Sequence, residues 1–534
     1  MAMPPPRLAL FAGREYRLVK VVEEGRRLMH AQPRLTRRAL LSGSVAGLAL
    51  PWALRGARGA PGRGISDAAW KKLAEKITGG VLRPNDPGFV ALTRPENLRY
   101  FNPPATPDAA PDPDAPLAVV RPHGAKEVAD AIVWAQVVGC PMVARSGGHS
   151  YAGCSTIRGL VIHLGAMRQA KYNRHSSLLE VEGGALNGDI FAVLRHSNRA
   201  IVHGRCPTVG ISSFLMGGGI GLAMREHGVG CDLVESVELV LADGKKVRAT
   251  ASNEYKELFW AVRGGGGGNL GFATRWRLHT VPVDKFIAFT ANWWASDNKQ
   301  EIFKRLVRAL EAAPEQMGAQ MSVFVTALNN PCPNRISLTG QFRGPLAKFQ
   351  AILGSALADA EQKAVLELPY WQAQELFEIK AEPNRYQETS LFADELSDAL
   401  IQEAFSLSRT LPGTAATARL TFFLTGGRVN TIKPDATAFV HRSSQWLINP
   451  IVEQWPAHYA KLDDDLRWQR KVLNRFAEIL GASSCYQNFP DPELDNHAEA
   501  YWGANLSRLS KVKAAFDPHS VFTPPRNQGI PQPA

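Results

Sequence analysis

Hydrophobic and polar positions along the middle of the chain alternate in two rhythms. Leu117 to Arg121 is a short apolar run of strand length. From Ala125 to Val138 the apolar positions Val128, Ile132 and Ala135 return at helical spacing, which predicts an amphipathic helix. Gly139 ends that pattern, and Met142 to Arg145 forms the next predicted strand. A strand over Leu178–Val181 and a helix over Asp189–His196 follow. Val237 to Ala242 and Lys246 to Ala249 flank Asp243-Gly244, the dipeptide of a tight hairpin. A helix is predicted from Glu254 to Val262 and a strand from Phe272 to Val281. Beyond about Pro282 the texture changes. Longer strand-like pieces, Met321–Leu328, Ala418–Leu424 and Gln445–Val452, stand among several helices. Strands separated by helices and joined to a hairpin predict a mixed α/β or α+β fold.

Composition narrows this picture. A chain of 534 residues exceeds one ordinary core, so two or more domains are expected. Its 45% hydrophobic and 21% charged content is that of a soluble globular protein. The net charge of +12 sits mostly at the front: residues 1–64 hold 12 Lys/Arg against 3 acidic residues, leaving +3 for the rest. So small an excess, without basic blocks, predicts no nucleic-acid partner. The basic leader has its own explanation. Arg37-Arg38 precedes an apolar run, Ala39 to Leu54, broken by Ser42, Gly43, Ser44 and Gly47. That run is shorter than the roughly 20 apolar residues of a membrane span. It resembles a twin-arginine export signal, which implies a periplasmic or extracellular destination; the alternatives are an amino-terminal anchor or an ordinary basic helix. Met29 is a second candidate start. The proline-rich stretch 103–116 excludes helix and inner strand. Six cysteines (140, 154, 206, 231, 332 and 485) show neither a CxxC pair nor zinc spacing, so no metal site is expected and no disulfide pairing follows.

Three glycine clusters carry the candidate chemistry. They are Ser146-Gly147-Gly148-His149-Ser150, directly after a predicted strand, then Gly217-Gly218-Gly219-Ile220-Gly221, then Gly264 to Gly268 with Gly271. Without a Cβ, backbone N–H groups approach a phosphate closely, so such loops can cradle a pyrophosphate. Two familiar versions are excluded. No cluster ends in the Lys-Ser/Thr of a P-loop. Gly266-x-Gly268-x-x-Gly271 matches the dinucleotide fingerprint by letter, yet it follows a helix and precedes a strand, the reverse of what that fold requires. Tight turns in a packed fold remain the plain alternative for each cluster taken alone.

The order of motifs resembles the berberine-bridge-enzyme-like FAD-linked oxidases, which share the vanillyl-alcohol-oxidase or PCMH type of flavin domain. The resemblance runs from about residue 85 to 530. Its markers are Val143-Ala144-Arg145-Ser146-Gly147-Gly148-His149-Ser150-Tyr151, Gly204-Arg205-Cys206-Pro207-Thr208-Val209-Gly210, the second and third glycine clusters, Tyr486-Gln487-Asn488-Phe489-Pro490-Asp491, Tyr501-Trp502-Gly503-Ala504-Asn505 and Lys513 to Phe522. It implies an α+β fold: a two-part FAD-binding domain, with an inserted substrate domain built on an antiparallel sheet. The corresponding boundaries are a leader over 1–60, an amino-terminal segment over 61–115, FAD-binding residues 116–282, substrate-binding residues 283–480, and a closing segment over 481–534.

The resemblance also implies site roles. His149 is expected to bond the flavin 8α-methyl carbon and Cys206 the flavin C6; both side chains are nucleophiles, through a neutral ring nitrogen and a thiolate. Arg145, Ser146, Gly147, Gly148, Ser150, Thr208, Val209, Gly210, Ser213, Gly217, Gly219, Gly221, Tyr501 and Asn505 are expected around the FAD. The small branched Val209 goes with oxygen access to the flavin, so the partners expected are a small-molecule substrate and O2, with H2O2 as product. Tyr486 is the candidate proton acceptor and Asn488 a positioning group. A phenol needs a nearby cation to act near neutrality, and Arg442 is the candidate. Asn449 stands where some members carry a catalytic Glu or Gln, and an amide cannot serve as base. Trp371, Trp446 and Trp455 are candidate cleft aromatics or plain core. The expected activity is oxidation of an alcohol or carbohydrate-type hydroxyl. Tailoring of a natural product, or a flavin dehydrogenase or electron-transfer role without O2, stands as the alternative.

Overall fold

The protein is described from a computed structural model covering residues 64–101, 115–326, 335–380, 382–412, 417–454 and 462–533. The export-type leader, Cys332 and Trp455 lie outside the described residues. All described residues belong to the unit Gly59–Ala534.

Alternation and helical spacing produce the elements the sequence predicts. Ala118–Val120, Leu160–His163 and Met142–Arg145 form a parallel run whose members are almost wholly buried, edged by antiparallel Val81–Leu82. Ala118–Val120 and Met142–Arg145 flank Leu160–His163 in parallel, and Ala125–Val137 is the crossover between those two outer strands. Val128, Ala131, Ile132 and Ala135 form the buried stripe of that helix. A five-stranded antiparallel sheet follows, in the order Ala170–Asn173, Leu178–Glu182, Phe272–His279, Val234–Val240, Lys246–Ala249. Its predicted hairpin is present: Val240 faces Lys246, and Gly244 takes φ +81°, a conformation that costs glycine nothing.

The third sheet has eight strands, all between residues 285 and 454. Seven run in the order Gln362–Pro369, Lys285–Trp293, Arg335–Phe342, Met317–Thr326, Thr417–Leu424, Trp446–Gln454, Arg385–Glu388, and Leu391–Ala393 also pairs with Trp446–Gln454. Every pairing is antiparallel. One face is apolar. Met321, Val323, Leu420, Phe422, Trp446 and Ile448 meet Ile302, Phe303, Leu306 and Leu310 of helix Lys299–Glu311, together with Trp468, Val472 and Phe476 of Leu462–Leu480. Each such side chain contributes about 1.5–3 kcal/mol of burial. Because side chains alternate, the intervening residues Gln320, Arg419, Thr421, Phe423 and Asn449 point the other way. They form a wall of the active-site cavity.

The carboxy-terminal segment returns to the first two sheets. Cys485, Tyr501, Trp502 and Leu509 join the core of the five-stranded sheet, while Phe522 packs on Phe272, ring centroids 4.9 Å apart. Lys513 fastens this return. Its ammonium donates to Asp517 Oδ2 (2.6 Å), Asn269 O (2.7 Å) and Phe522 O (2.6 Å), with both ions buried. The fold is thus α+β, with a flavin-type body made from two ends of the chain and an antiparallel sheet between them.

Candidate active site

Strand Met142–Arg145 delivers the first glycine cluster to the edge of a cavity. The Cys206 segment arrives beside it, and the two are locked backbone to backbone. A Cβ on Gly147 would lie 2.4 Å from Gly210 N and 2.5 Å from Thr208 O; one on Gly210 would lie 2.3 Å from Ser146 Oγ. Only glycine permits this approach. His149 Nε2 lies 2.7 Å from Thr208 Oγ1, which fixes the ring across the seam. The surrounding walls push the His149 pKa down to about 4, leaving a neutral imidazole at physiological pH. Burial pushes the Cys206 thiol up to about 11, the neighbouring Arg205 opposing and Glu388 adding to the rise. Cys206 therefore rests as a thiol. Among the described residues Cys140, Cys154, Cys206, Cys231 and Cys485 are all free.

Of the expected cofactor residues, Ser146, Gly147, Gly148, His149, Ser150, Cys206, Val209, Gly210, Ser213, Gly221 and Tyr501 line the cavity. Thr208 stands one layer back, behind His149. Gly217 and Gly219 support the wall. A Cβ at Gly217 would fall 2.1 Å from Asn488 Oδ1, and Gly219 N–H donates to the Tyr486 phenol. Two expectations are corrected. Arg145 is buried at the strand end and turned away, its guanidinium donating to Ser155 O (3.0 Å) and Leu92 O (2.7 Å). Asn505 is likewise structural, its amide donating to Pro434 O at 2.8 Å and Thr437 O at 3.2 Å.

Tyr486 is 1% exposed. Its phenol oxygen receives Gly219 N–H (2.9 Å), Ile220 N–H (3.2 Å) and the Asn488 amide (3.1 Å). Burial raises its pKa to about 12 although these three donors pull it down. The cation expected beside it is engaged elsewhere: Arg442 makes a bidentate pair with Asp232, at 2.8 and 2.7 Å. Of the two readings of the tryptophans, Trp446 and Trp371 take the core one. Trp446 faces the helices and donates to Glu311 Oε1 at 2.8 Å, while Trp371 stacks on His203 at 5.6 Å.

Sequence reasoning passed over several lining groups. Gly266 to Gly268, part of the third glycine cluster, also run along the cavity. Arg205, Gln320, Glu388, Arg419, Thr421 and Phe489 line it as well. For Gln320, Glu388, Arg419 and Thr421 the signal was period-two alternation on the sheet strands, visible only once the apolar partner face was known. Tyr151, Phe489 and Phe423 form an aromatic edge, with centroids 6.0 Å (Tyr151–Phe489) and 5.7 Å (Phe423–Phe489) apart.

Comparison with known proteins agrees with this geometry. Residues 116–250 match the FAD binding domain model, and residues 485–531 match the model for berberine and berberine-like proteins. The chain is 27% identical over 459 residues to the "Uncharacterized FAD-linked oxidoreductase YgaK" of Bacillus subtilis, covering 84% of this chain and 96% of that protein. It is 28% identical over 453 residues to the "Carbohydrate oxidase" of Microdochium nivale, covering 78% and 88%. The structure of Physcomitrella patens BBE-like 1 superposes with a TM-score of 0.75 at 25% identity, over 87% of this chain and 99% of that one. Two interlocked loops at a glycine-walled cavity, the returning carboxy-terminal segment and these matches mark the chain as an FAD-linked oxidoreductase similar to the berberine-bridge-enzyme-like proteins.

Proposed function

We propose that the chain is an exported oxidase that holds one FAD through both His149 and Cys206, oxidises an alcohol or carbohydrate-type hydroxyl to a carbonyl, and passes the two electrons to O2 as H2O2. The observation that supports this is the Gly147–Gly210 seam, with both nucleophiles lining the one cavity beside it. The wall fits a flavin nucleotide chemically. Gly147, Gly210 and Gly266 to Gly268 leave main chain open to a large planar ligand and its phosphates. When bound, FAD supplies the two-electron acceptor for the substrate hydride.

The chain's own residues do the rest. Neutral His149 presents a ring lone pair without first losing a proton. Cys206 must shed its thiol proton before bonding, and Arg205 favours that loss. Val209 puts a small branched side chain on the wall, which supports access for O2. Ser146, Ser150 and Ser213 belong to the same rim, Thr208 backs His149, and Asn488 positions the Tyr486 phenol. The relative in Microdochium nivale named as a carbohydrate oxidase supports a hydroxyl substrate. The aromatic edge of Tyr151, Phe423 and Phe489 favours a second reading, a ring-bearing natural-product alcohol. Export rests on the twin-arginine leader, and the domain boundaries on the motif order.

Intact mass after denaturation should exceed the polypeptide by one FAD. H2O2 release should follow addition of a sugar, a polyol or an aromatic alcohol. Background oxygen consumption with all three, alongside reduction of an artificial acceptor, would reject the oxidase in favour of a dehydrogenase.

A further inference from the structure

One carboxyl in the cavity wall has no part in this scheme. Glu388 is the only Asp or Glu among the described residues lining the cavity. It ends the strand Arg385–Glu388 and is 4% exposed. Asn449, whose amide favours the charged form of Glu388, donates to Thr389 O at 2.8 Å. In the sheet register Glu388 faces Ile451, and Ile451 faces Arg419. The three therefore share one row on the cavity face. Arg419 stands two strands from Glu388, about 10 Å at ordinary strand spacing. That is attraction without a neutralising contact. A buried acid held this way costs stability, and an apolar residue would serve packing better. Such a cost is kept where an acid is needed.

Resting on the oxidase reading above, we infer that Glu388 is the proton acceptor for the substrate hydroxyl. The carboxylate takes the O–H proton, and the O–H electron pair becomes the second C–O bond. The carbinol hydrogen leaves with its pair as hydride, FAD being the oxidant. The acid then releases its proton to O2 reduction or solvent. Tyr486 is a clamp in this scheme. The Gly219 and Ile220 N–H groups already take the two lone pairs of the neutral phenol, so none is left for a substrate proton.

The groups around Glu388 set its titration. Burial and Glu453 raise its pKa to about 8, while Arg419 and Asn449 oppose them. Tyr386 from its own strand and Tyr151 and Cys206 from the flavin-side loops also face it. All three are held protonated near neutrality, so Glu388 is the wall group that changes charge there.

The test compares wild-type holoenzyme with Glu388→Gln and Glu388→Asp. Intact mass first establishes that each carries its FAD. Anaerobic bleaching of the flavin by maltose, glycerol and cinnamyl alcohol is then followed from acid to alkaline pH. The wild-type rate should fall about tenfold per pH unit below a pKa near 8. Glu388→Gln should lose on the order of 10²-fold and lose that acidic limb, while Glu388→Asp recovers both in part. A Gln variant that keeps the limb or the wild-type rate overturns the assignment and leaves the oxidase reading standing. A wild-type flavin that dithionite bleaches and no alcohol does overturns the oxidase reading, and the assignment with it.

Discussion

The two walls of the cavity are built by different physics. The flavin-side wall is made of loops. Gly147 and Gly210 bring two segments into backbone contact, and His149 and Cys206 sit on neighbouring rims of that seam. The opposite wall is one face of an antiparallel sheet. Arg419, Thr421, Asn449 and Glu388 come from three strands and meet only through register. A loop wall tolerates no added atoms, because its chemistry depends on main chain approaching main chain. A sheet wall tolerates side-chain exchange, because its frame is held from the other face by Leu420, Phe422, Trp446 and Ile448. On the proposed function, fixed cofactor handling and adjustable substrate handling are thereby separated in one cavity.

Five substitutions break or sharpen this contrast. The largest effect is expected from His149→Ala with Cys206→Ala, which should abolish all covalent FAD in the denatured mass spectrum. Each single variant should keep covalent flavin through the other residue; complete loss in either single variant would reject two independent bonds. Next, Gly147→Ala places a methyl 2.4 Å from Gly210 N. It should cost about 1–3 kcal/mol in denaturant unfolding and lower FAD content, since loop packing is already tight. A neutral Gly147→Ala would show that the seam yields.

Tyr486→Phe removes the acceptor of two buried N–H groups, at a cost of about 1–2 kcal/mol. With Glu388 as proton acceptor, this variant should keep the wild-type pH profile of flavin bleaching. A lost acidic limb would return that role to the phenol.

The smallest effect is a stability shift with a sign. The folded pKa of Glu388 stands above its ordinary value of 4.5, so the unfolded chain ionises first as pH rises. Wild-type stability from this group is therefore lost between pH 4.5 and about 8. Glu388→Gln escapes that loss, and its Tm should exceed the wild type by a few degrees above pH 8 and match it in mild acid. Equal Tm values at both ends would mean that the carboxyl is not strained by burial.

Much of the loop wall was legible without coordinates. Ser146 to Ser150 and Cys206 to Gly210 are contiguous, and a run of glycines beside a nucleophile carries its meaning locally. Arg145 and Asn505 belonged to the same motifs and were misassigned, since adjacency in sequence does not say which way a side chain points. Arg145 is buried on Leu92 and Ser155 carbonyls, and Asn505 on those of Pro434 and Thr437. Arg442 is the candidate cation only because a phenol base needs one near it. Asp232, 210 residues away in sequence, captures it instead. Trp446 was offered to the cleft on aromatic character alone. Its odd-even partners place it on the helix side, and Asn449 on the cavity side.

By itself the sequence determined the local elements, the hairpin at Asp243-Gly244, the glycine loops and the two nucleophiles, because each depends on residues within a few positions of one another. Only the tertiary structure decided which sheet face meets the cavity. It alone set Glu388 in a row with Ile451 and Arg419, closed three donors on Tyr486 and returned Lys513 to the amino-terminal half. Those outcomes depend on register and long-range burial, where segments tens to hundreds of residues apart compete for the same apolar surface and the same hydrogen-bond partners.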